Sequence, residues 1–174
     1  KLDIQIKNVF GKEDTLITIQ IDMLLAQKFG MEYVDSNNQL VTPYIIHRTS
    51  MGCYERTLAL LIEKYAGALP MWIAPEQVRL LPIGDEQVAY CEAIANRLTA
   101  LGIRCEVDKR NETIGYKLRN AQLEKLPYMI VVGAKEVESN TVAVRSRKEG
   151  DLGAIALDEF IAKLHDEVDN KVCK

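Results

Sequence analysis

The sequence predicts an α/β protein in two parts, an antiparallel sheet followed by a compact strand–helix–strand domain. Three observations carry this. Leu2, Ile4 and Ile6 alternate with Asp3, Gln5 and Lys7, the period of a half-buried strand. After Pro75 the rhythm changes to short apolar strands separated by amphipathic helices. Tyr128-Met-Ile-Val-Val132 is a continuous apolar run of the kind buried on both faces of a sheet.

Taken in order, residues 8–14 with Gly11 read as a turn before a second strand over residues 15–23. Tyr33-Val34 and Leu40-Val41 flank Asp35-Ser-Asn-Asn38, a hairpin signal. Pro43 introduces a strand over residues 44–46. A helix is expected over residues 54–65 with Leu58, Leu61, Ile62 and Tyr65 on one stripe, ended by Gly67 and Pro70. The boundary falls where Pro70 and Pro75 bracket Trp72, dividing the chain into 1–71 and 72–174. In the second part, residues 78–81 form a strand, Asp85 caps a helix reaching about Ala100, and Gly102 closes it. A strand over 103–107 follows, then a helix over 114–125 with Leu118 and Ala121 on its apolar face. The strand over 128–132, a short strand marked by Val142 and Val144, and a last helix from Leu157 to about Val168 complete the series.

With 48% hydrophobic residues in 174, the chain is packed rather than disordered, and a net charge of −3 argues against a nonspecific nucleic-acid coat. The charge is unevenly placed. Lys109, Arg110, Lys117, Arg119, Lys125, Lys135, Arg145, Arg147 and Lys148 outnumber the acids between them, whereas the tail beyond Glu149 is acidic. A basic segment inside an acidic protein suggests a defined polyanion site, with a solvated face as the plain alternative. Cys53, Cys91, Cys105 and Cys173 form no C-x-x-C pair, which gives no support to a zinc knuckle or redox motif. With no signal peptide and no long apolar run, the expected home is the reducing cytoplasm, with no membrane partner. A first residue that is lysine, entering a strand pattern, suggests a fragment whose start cuts through a domain.

Tyr44-Ile-Ile-His47-Arg48-Thr-Ser-Met-Gly52-Cys53-Tyr54-Glu55-Arg56 sets an imidazole, a glycine turn and an arginine between an apolar strand and a helix. It resembles the third signature motif of class II aminoacyl-tRNA synthetases, in the threonyl version. Ala66-Gly-Ala-Leu-Pro-Met-Trp-Ile-Ala-Pro-Glu-Gln-Val-Arg-Leu-Leu-Pro-Ile83 resembles the junction between catalytic and anticodon-binding domains in that family. The resemblance implies a partial antiparallel class II catalytic sheet followed by a mixed-sheet α/β anticodon-binding domain.

It also implies roles for particular residues. Arg56 would bind ATP, since a planar guanidinium can pair bidentately with phosphate oxygens; the plain reading is a surface arginine paired with Glu55 or Glu63. Cys53 stands where serine is usual in the ATP-contacting motif. His47 matches the last of one cysteine and two histidines that hold a catalytic zinc, the other two lying upstream of Lys1. Zinc can recognise the amino and hydroxyl groups of threonine while rejecting valine. Gln20 resembles a substrate-contacting glutamine, its alternative being an outward residue on an alternating strand. Lys1 matches the lysine of a Gly-Pro-Lys turn. Thr15-Leu-Ile-Thr18 departs from the common Gln-Cys-Gly-Thr run and could alter ATP contacts.

In the second part, Asp108-Lys-Arg-Asn-Glu-Thr-Ile-Gly115 resembles the anticodon loop of the family, with Asn111 offering amide donors and an acceptor to a base edge. Glu136 and Arg145 match the anticodon-reading glutamate and arginine; an ion pair between the two is the plain alternative. Arg119 and Lys125 are weaker candidates for backbone contacts. The implied parent is a threonine–tRNA ligase using ATP, Mg2+ and Zn2+ with threonine and its tRNA, as a homodimer, while the chain alone would be inactive and hold no zinc. Two rivals stand beside it: a noncatalytic RNA-binding or regulatory relative, and a prolyl or glycyl enzyme, against which His-Arg before the motif helix argues.

Overall fold

The computed structural model describes residues 1–173 and divides into two compact units, Lys1–Ala66 and Gly67–Lys174.

In the first unit, β1 (Leu2–Lys7) and β2 (Glu13–Asp22) form an antiparallel hairpin, and β5 (Ile45–Arg48) adds antiparallel to the other edge of β2. Asn8 builds the β1–β2 turn: its Oδ1 accepts the N–H groups of Phe10 and Lys12, and Gly11 takes a φ of 76°. A short helix, α1 (Leu25–Lys28), begins where Asp22 accepts the N–H groups of Leu24 and Leu25. The small hairpin β3 (Tyr33–Val34) and β4 (Leu40–Val41) turns at Asp35, which accepts from Asn37 and Gln39, with Asn38 left-handed at φ 60°. Helix α2 (Tyr54–Tyr65) ends at Ala66 in the left-handed region, one residue before the expected Gly67. Its apolar stripe is not covered: Leu58 is 53% and Ile62 48% exposed, and Ala26 is the one buried side chain of this unit.

The second unit is built around a five-stranded mixed sheet in the order β10-β9-β8-β6-β7. Strands β6 (Val78–Pro82), β7 (Cys105–Val107) and β8 (Tyr128–Val132) are parallel; β9 (Thr141–Ser146) and β10 (Gly150–Ala156) continue antiparallel. Helices α3 (Val88–Ala100) and α6 (Leu157–Asp169) close one face over Val78, Leu80, Tyr128, Ile130, Val142 and Val144. Helix α4 (Ile114–Leu123) closes the other over Leu81 and Met129. Because both faces are packed, β8 is apolar at every position rather than alternating, and the one charged residue of β6, Arg79, is paired with Glu76 and Glu124. The ring of Tyr128 meets Phe160 edge-on at 5.5 Å between centroids, joining β8 to α6.

Several local details differ from the sequence reading. Asp85 does not cap α3. It lies in a 3-10 turn, Asp85–Gln87, in which Gln87 Oε1 accepts the Gly84 N–H at 3.0 Å, so the amide side chain satisfies that end. The strand expected from 103 begins at Cys105, because Ile103 closes the α3 turn by donating to Leu98 O. Thr113 caps α4, accepting from the Tyr116 N–H. Helix α5 (Ala134–Ser139) and strand β10 were not anticipated; the first is a six-residue helix ended by left-handed Asn140, and the second is masked by Gly150 and Gly153 around a register shift.

Candidate functional site

The three-stranded sheet of the first unit sorts its polar residues onto one face. In the antiparallel register Asp3 faces Thr18 and Gln20 faces His47, so these side chains point the same way. Contacts confirm the grouping. Thr18 Oγ1 donates to Asp3 Oδ1 at 2.7 Å, Lys1 Nζ lies 3.3 Å from Asp3 Oδ2, and His47 Nε2 lies 3.6 Å from Asp22 Oδ2. Lys1, Gln20 and His47 thus share a face, with Asp3, Thr18 and Asp22 among them. The Thr18 hydroxyl is the largest influence holding the Asp3 carboxyl below its ordinary range. Asp22 is held low mainly by the N–H groups of Leu25 and Leu24 at the start of α1, and only secondarily by His47.

The motif loop is pressed onto β2. Gly52 has a φ of 72°, and a Cβ there would stand 2.2 Å from Leu16 O, so only glycine fits. Two residues of the adjoining helix start then bond nearby: Arg56 Nη1 donates to Thr15 O at 3.1 Å and Thr57 Oγ1 to Met51 O at 2.9 Å. Arg56 pairs with neither Glu55 nor Glu63, which leaves most of its guanidinium fork unused. Glu55 instead accepts from Cys53 Sγ at 2.7 Å, turning the thiol toward the helix start. Among the described residues no group of three or more His, Cys, Asp or Glu could hold a metal ion. His47 with Asp22 alone does not make a tetrahedral zinc set.

In the second unit, Asn111 and Glu136 lie beyond the carboxyl ends of the parallel strands, Asn111 in the exposed β7–α4 loop and Glu136 in the first turn of α5 after β8. The chain leaves β6 toward α3 on one face and β7 toward α4 on the other. It also leaves β6 for β7 on one side of the sheet and β8 for β9 on the other, so the carboxyl ends of β6 and β8 flank a topological switch point, where open α/β sheets bind ligands. Asp108 is buried beneath the loop and accepts Nε and Nη2 of Arg110, whose bonds are the chief cause of its lowered pKa. Lys117, only 4% exposed, donates Nζ to Pro82 O at 3.3 Å and Asp108 O at 3.0 Å, tying the ends of β6 and β7 together.

Glu136 and Arg145 do not pair. Glu136 Oε2 accepts the Gly133 N–H at 2.9 Å, leaving its other oxygen available. Arg145 faces Met129, near the start of β8 rather than its end, on the sheet side that α4 covers. It lines a cavity of about 360 Å3 with Gln122, Met129, Ser146, Arg147 and Gly150 and has no carboxylate partner. Arg119 is exposed on α4; Lys125 follows the helix in a left-handed conformation, φ 59°. Asn111 and Glu136 therefore sit at one end of the sheet and Arg145 along its side. Sequence reasoning missed Asp108 and Lys117. Lys117 was within reach, because it falls on the helical stripe of Ile114, Leu118 and Ala121.

The family described as tRNA synthetase class II core domain (G, H, P, S and T) matches residues 1–65, and the family described as Anticodon binding domain matches residues 77–167. A threonine–tRNA ligase of Clostridium perfringens is 56% identical over 171 residues, 98% of this chain and 27% of its own length. That of Clostridium tetani is 49% identical over 172 residues, covering 99% of this chain and 27% of its own. The chain thus spans about a quarter of these relatives. Among solved structures, the RNA binding domain of threonyl-tRNA synthetase from Cryptosporidium parvum Iowa II aligns with a TM-score of 0.80 at 31% identity, covering 94% of this chain and 42% of that one. A prolyl-tRNA synthetase from Cryptosporidium parvum aligns with a TM-score of 0.75 at 24% identity, covering 92% and 35%, a likeness of fold alone. No helix among the described residues is long and apolar enough to cross a membrane. The chain belongs to the class II aminoacyl-tRNA synthetases, joining a segment of their core to an anticodon-binding domain, and it matches the threonyl members over nearly its whole length.

Proposed function

We propose that the chain is part of a threonine–tRNA ligase, which activates threonine with ATP and transfers it to its tRNA in the cytoplasm. Residues 1–71 would contribute to the catalytic domain and residues 72–174 would read the anticodon. The observation that carries this is 56% identity to a threonine–tRNA ligase, collinear through both family segments.

In the catalytic segment, Arg56 is fastened to Thr15 O by one nitrogen and would present the rest of its fork to ATP phosphates, with Cys53 beside it. Gln20 and Lys1 share the polar sheet face on which substrate would lie. Mg2+ would accompany ATP and neutralise phosphate charge. Zinc belongs to the same proposal: His47 supplies one imidazole, and further donors would come from elsewhere in the parent. The uncovered apolar stripe of α2 supports a core segment that packs against more protein, in a parent that would be a homodimer.

In the anticodon segment, the exposed Asn111 and the second oxygen of Glu136 would read base edges, while Arg145, opposite Asp151 on β10 but in no ion pair with it, would supply a cation. Arg119 and Lys125 would add contacts to the RNA backbone. The test is threonine-dependent ATP–pyrophosphate exchange and tRNA charging by the parent, set against the chain alone. Exchange by the parent and none by the chain is expected. A parent that binds threonine tRNA without exchange would be a noncatalytic relative.

A further inference from the structure

Residues 68–74, which lead into the anticodon-binding unit, run as a strap whose carbonyls are held by side chains of that unit. Gln77 Nε2 donates to Met71 O at 2.9 Å, and Arg104 donates to Ala74 O at 2.9 Å and Trp72 O at 3.1 Å. Arg147 holds the start of the strap: Nη2 donates to Ala68 O at 3.1 Å and Leu69 O at 2.8 Å, while Nη1 donates to Lys125 O. Its own N–H donates to Pro127 O at 2.9 Å. One residue thus joins the strap, the α4–β8 connection and the end of β9.

Arg79 and Arg110 pair with carboxylates, whereas Arg147, like Arg104, is held by carbonyls alone; burial lowers the Arg147 pKa. A half-buried guanidinium without a counterion is costly, so what it provides is geometry: a rigid planar fork spanning three carbonyls. It also follows Arg145 by two residues, and both line the same cavity.

We propose that Arg147 is a positioning residue that couples RNA engagement at Arg145 to the order of the 68–74 strap. The inference rests on Arg145 contacting RNA, as set out above. RNA held by Arg145 restrains the end of β9. Two peptide units further on, the Arg147 fork passes that restraint to the carbonyls of Ala68 and Leu69. The fork, not the charge, carries the effect, since an ammonium cannot span the same acceptors.

The test is hydrogen–deuterium exchange of the strap in this chain, with and without an RNA hairpin carrying the threonine anticodon stem and loop. Saturating hairpin should slow uptake in the strap about fivefold or more in the wild type. Arg147→Lys keeps the charge and should bind the hairpin within about threefold of wild type while losing that slowing. Arg104→Gln cuts a different fastening without touching β9; it should loosen the strap yet keep the RNA-dependent slowing. Wild-type slowing in Arg147→Lys, equal loss in Arg104→Gln, or hairpin binding that leaves the wild-type strap unchanged each overturns the coupling. Wild-type affinity that ignores the anticodon sequence would fell the recognition reading itself, and this inference with it.

Discussion

Replacing Lys117 by methionine keeps a flexible stem of similar reach and removes only the ammonium. The structure sets the cost. Lys117 is 4% exposed and donates to Pro82 O and Asp108 O, so the variant withdraws the donor from two carbonyls in a packed region. Each hydrogen bond from a charged donor is worth about 1.5–3 kcal/mol. Relief from burying an ammonium offsets part of this, leaving a net destabilisation of about 2 kcal/mol. For a unit of this size that lowers the thermal midpoint by about 4–8 °C per kcal/mol. Trp72 is the only tryptophan and lies in the second unit, so its emission during urea or thermal unfolding reports that unit alone. Because the tie fixes the carboxyl ends of β6 and β7, the Asn111 loop should also exchange its amides faster. A variant as stable as wild type, with an unchanged loop, would refute the view that Lys117 organises this end of the sheet.

Three further outcomes follow from the same geometry. The first unit has one buried side chain, Ala26, against a backbone ordering cost of roughly 1–2 kcal/mol per residue, so exchange mapped along the chain should find residues 1–66 poorly protected and β6 and β8 strongly protected. Asp108→Asn should cost about 1–2 kcal/mol at neutral pH. The Asp108 pKa is lowered in the folded state, so its contribution is present above the ordinary value of 3.8 and fades as pH falls through the folded value. Acid titration should therefore bring the variant and wild type together below that range; a gap that persists there would mean the carboxylate is not the cause. In the parent, Arg56→Ala should slow adenylate formation by about 2–4 kcal/mol with tRNA binding little changed, and unaltered exchange kinetics would return Arg56 to an ordinary surface role.

The parts of the fold written in repeating pattern were legible: the alternation of β1, the stripe of α4, the apolar run of β8. The last two reflect faces buried in the core, whereas the apolar side of β1 stays exposed at Leu2 and Ile4. Elements set by single residues were not. Helix α5 depends on Asn140 taking a left-handed turn, and β10 carries two glycines that erase its alternation. The α2 stripe was read correctly as apolar, yet it is uncovered, since periodicity shows which face seeks burial and not what covers it. The candidate residues were chosen by type, and their pairings were not legible. Glu136 could be read as a surface partner of Arg145, whereas its carboxylate serves a backbone N–H three residues away. Arg147 gave no signal at all, because its partners are main-chain carbonyls, which every sequence possesses.

The central proposal is that the second unit would read the threonine anticodon through Glu136 and Arg145, with Asn111 after β7 at the same end of the sheet as Glu136 after β8. The direct measurement is competitive binding of two tRNAs that differ only in the anticodon, at fixed salt, to the wild type, Glu136→Ala and Arg145→Ala. Loss of one base-reading side chain should cost about 1–3 kcal/mol, by analogy with base-edge contacts in DNA. Glu136→Ala should erode discrimination while leaving affinity for the changed tRNA nearly intact. Arg145→Ala should lose discrimination and also affinity for both, with a shallower salt dependence. Full wild-type discrimination in both variants would contradict the account and move the reading surface elsewhere on this unit.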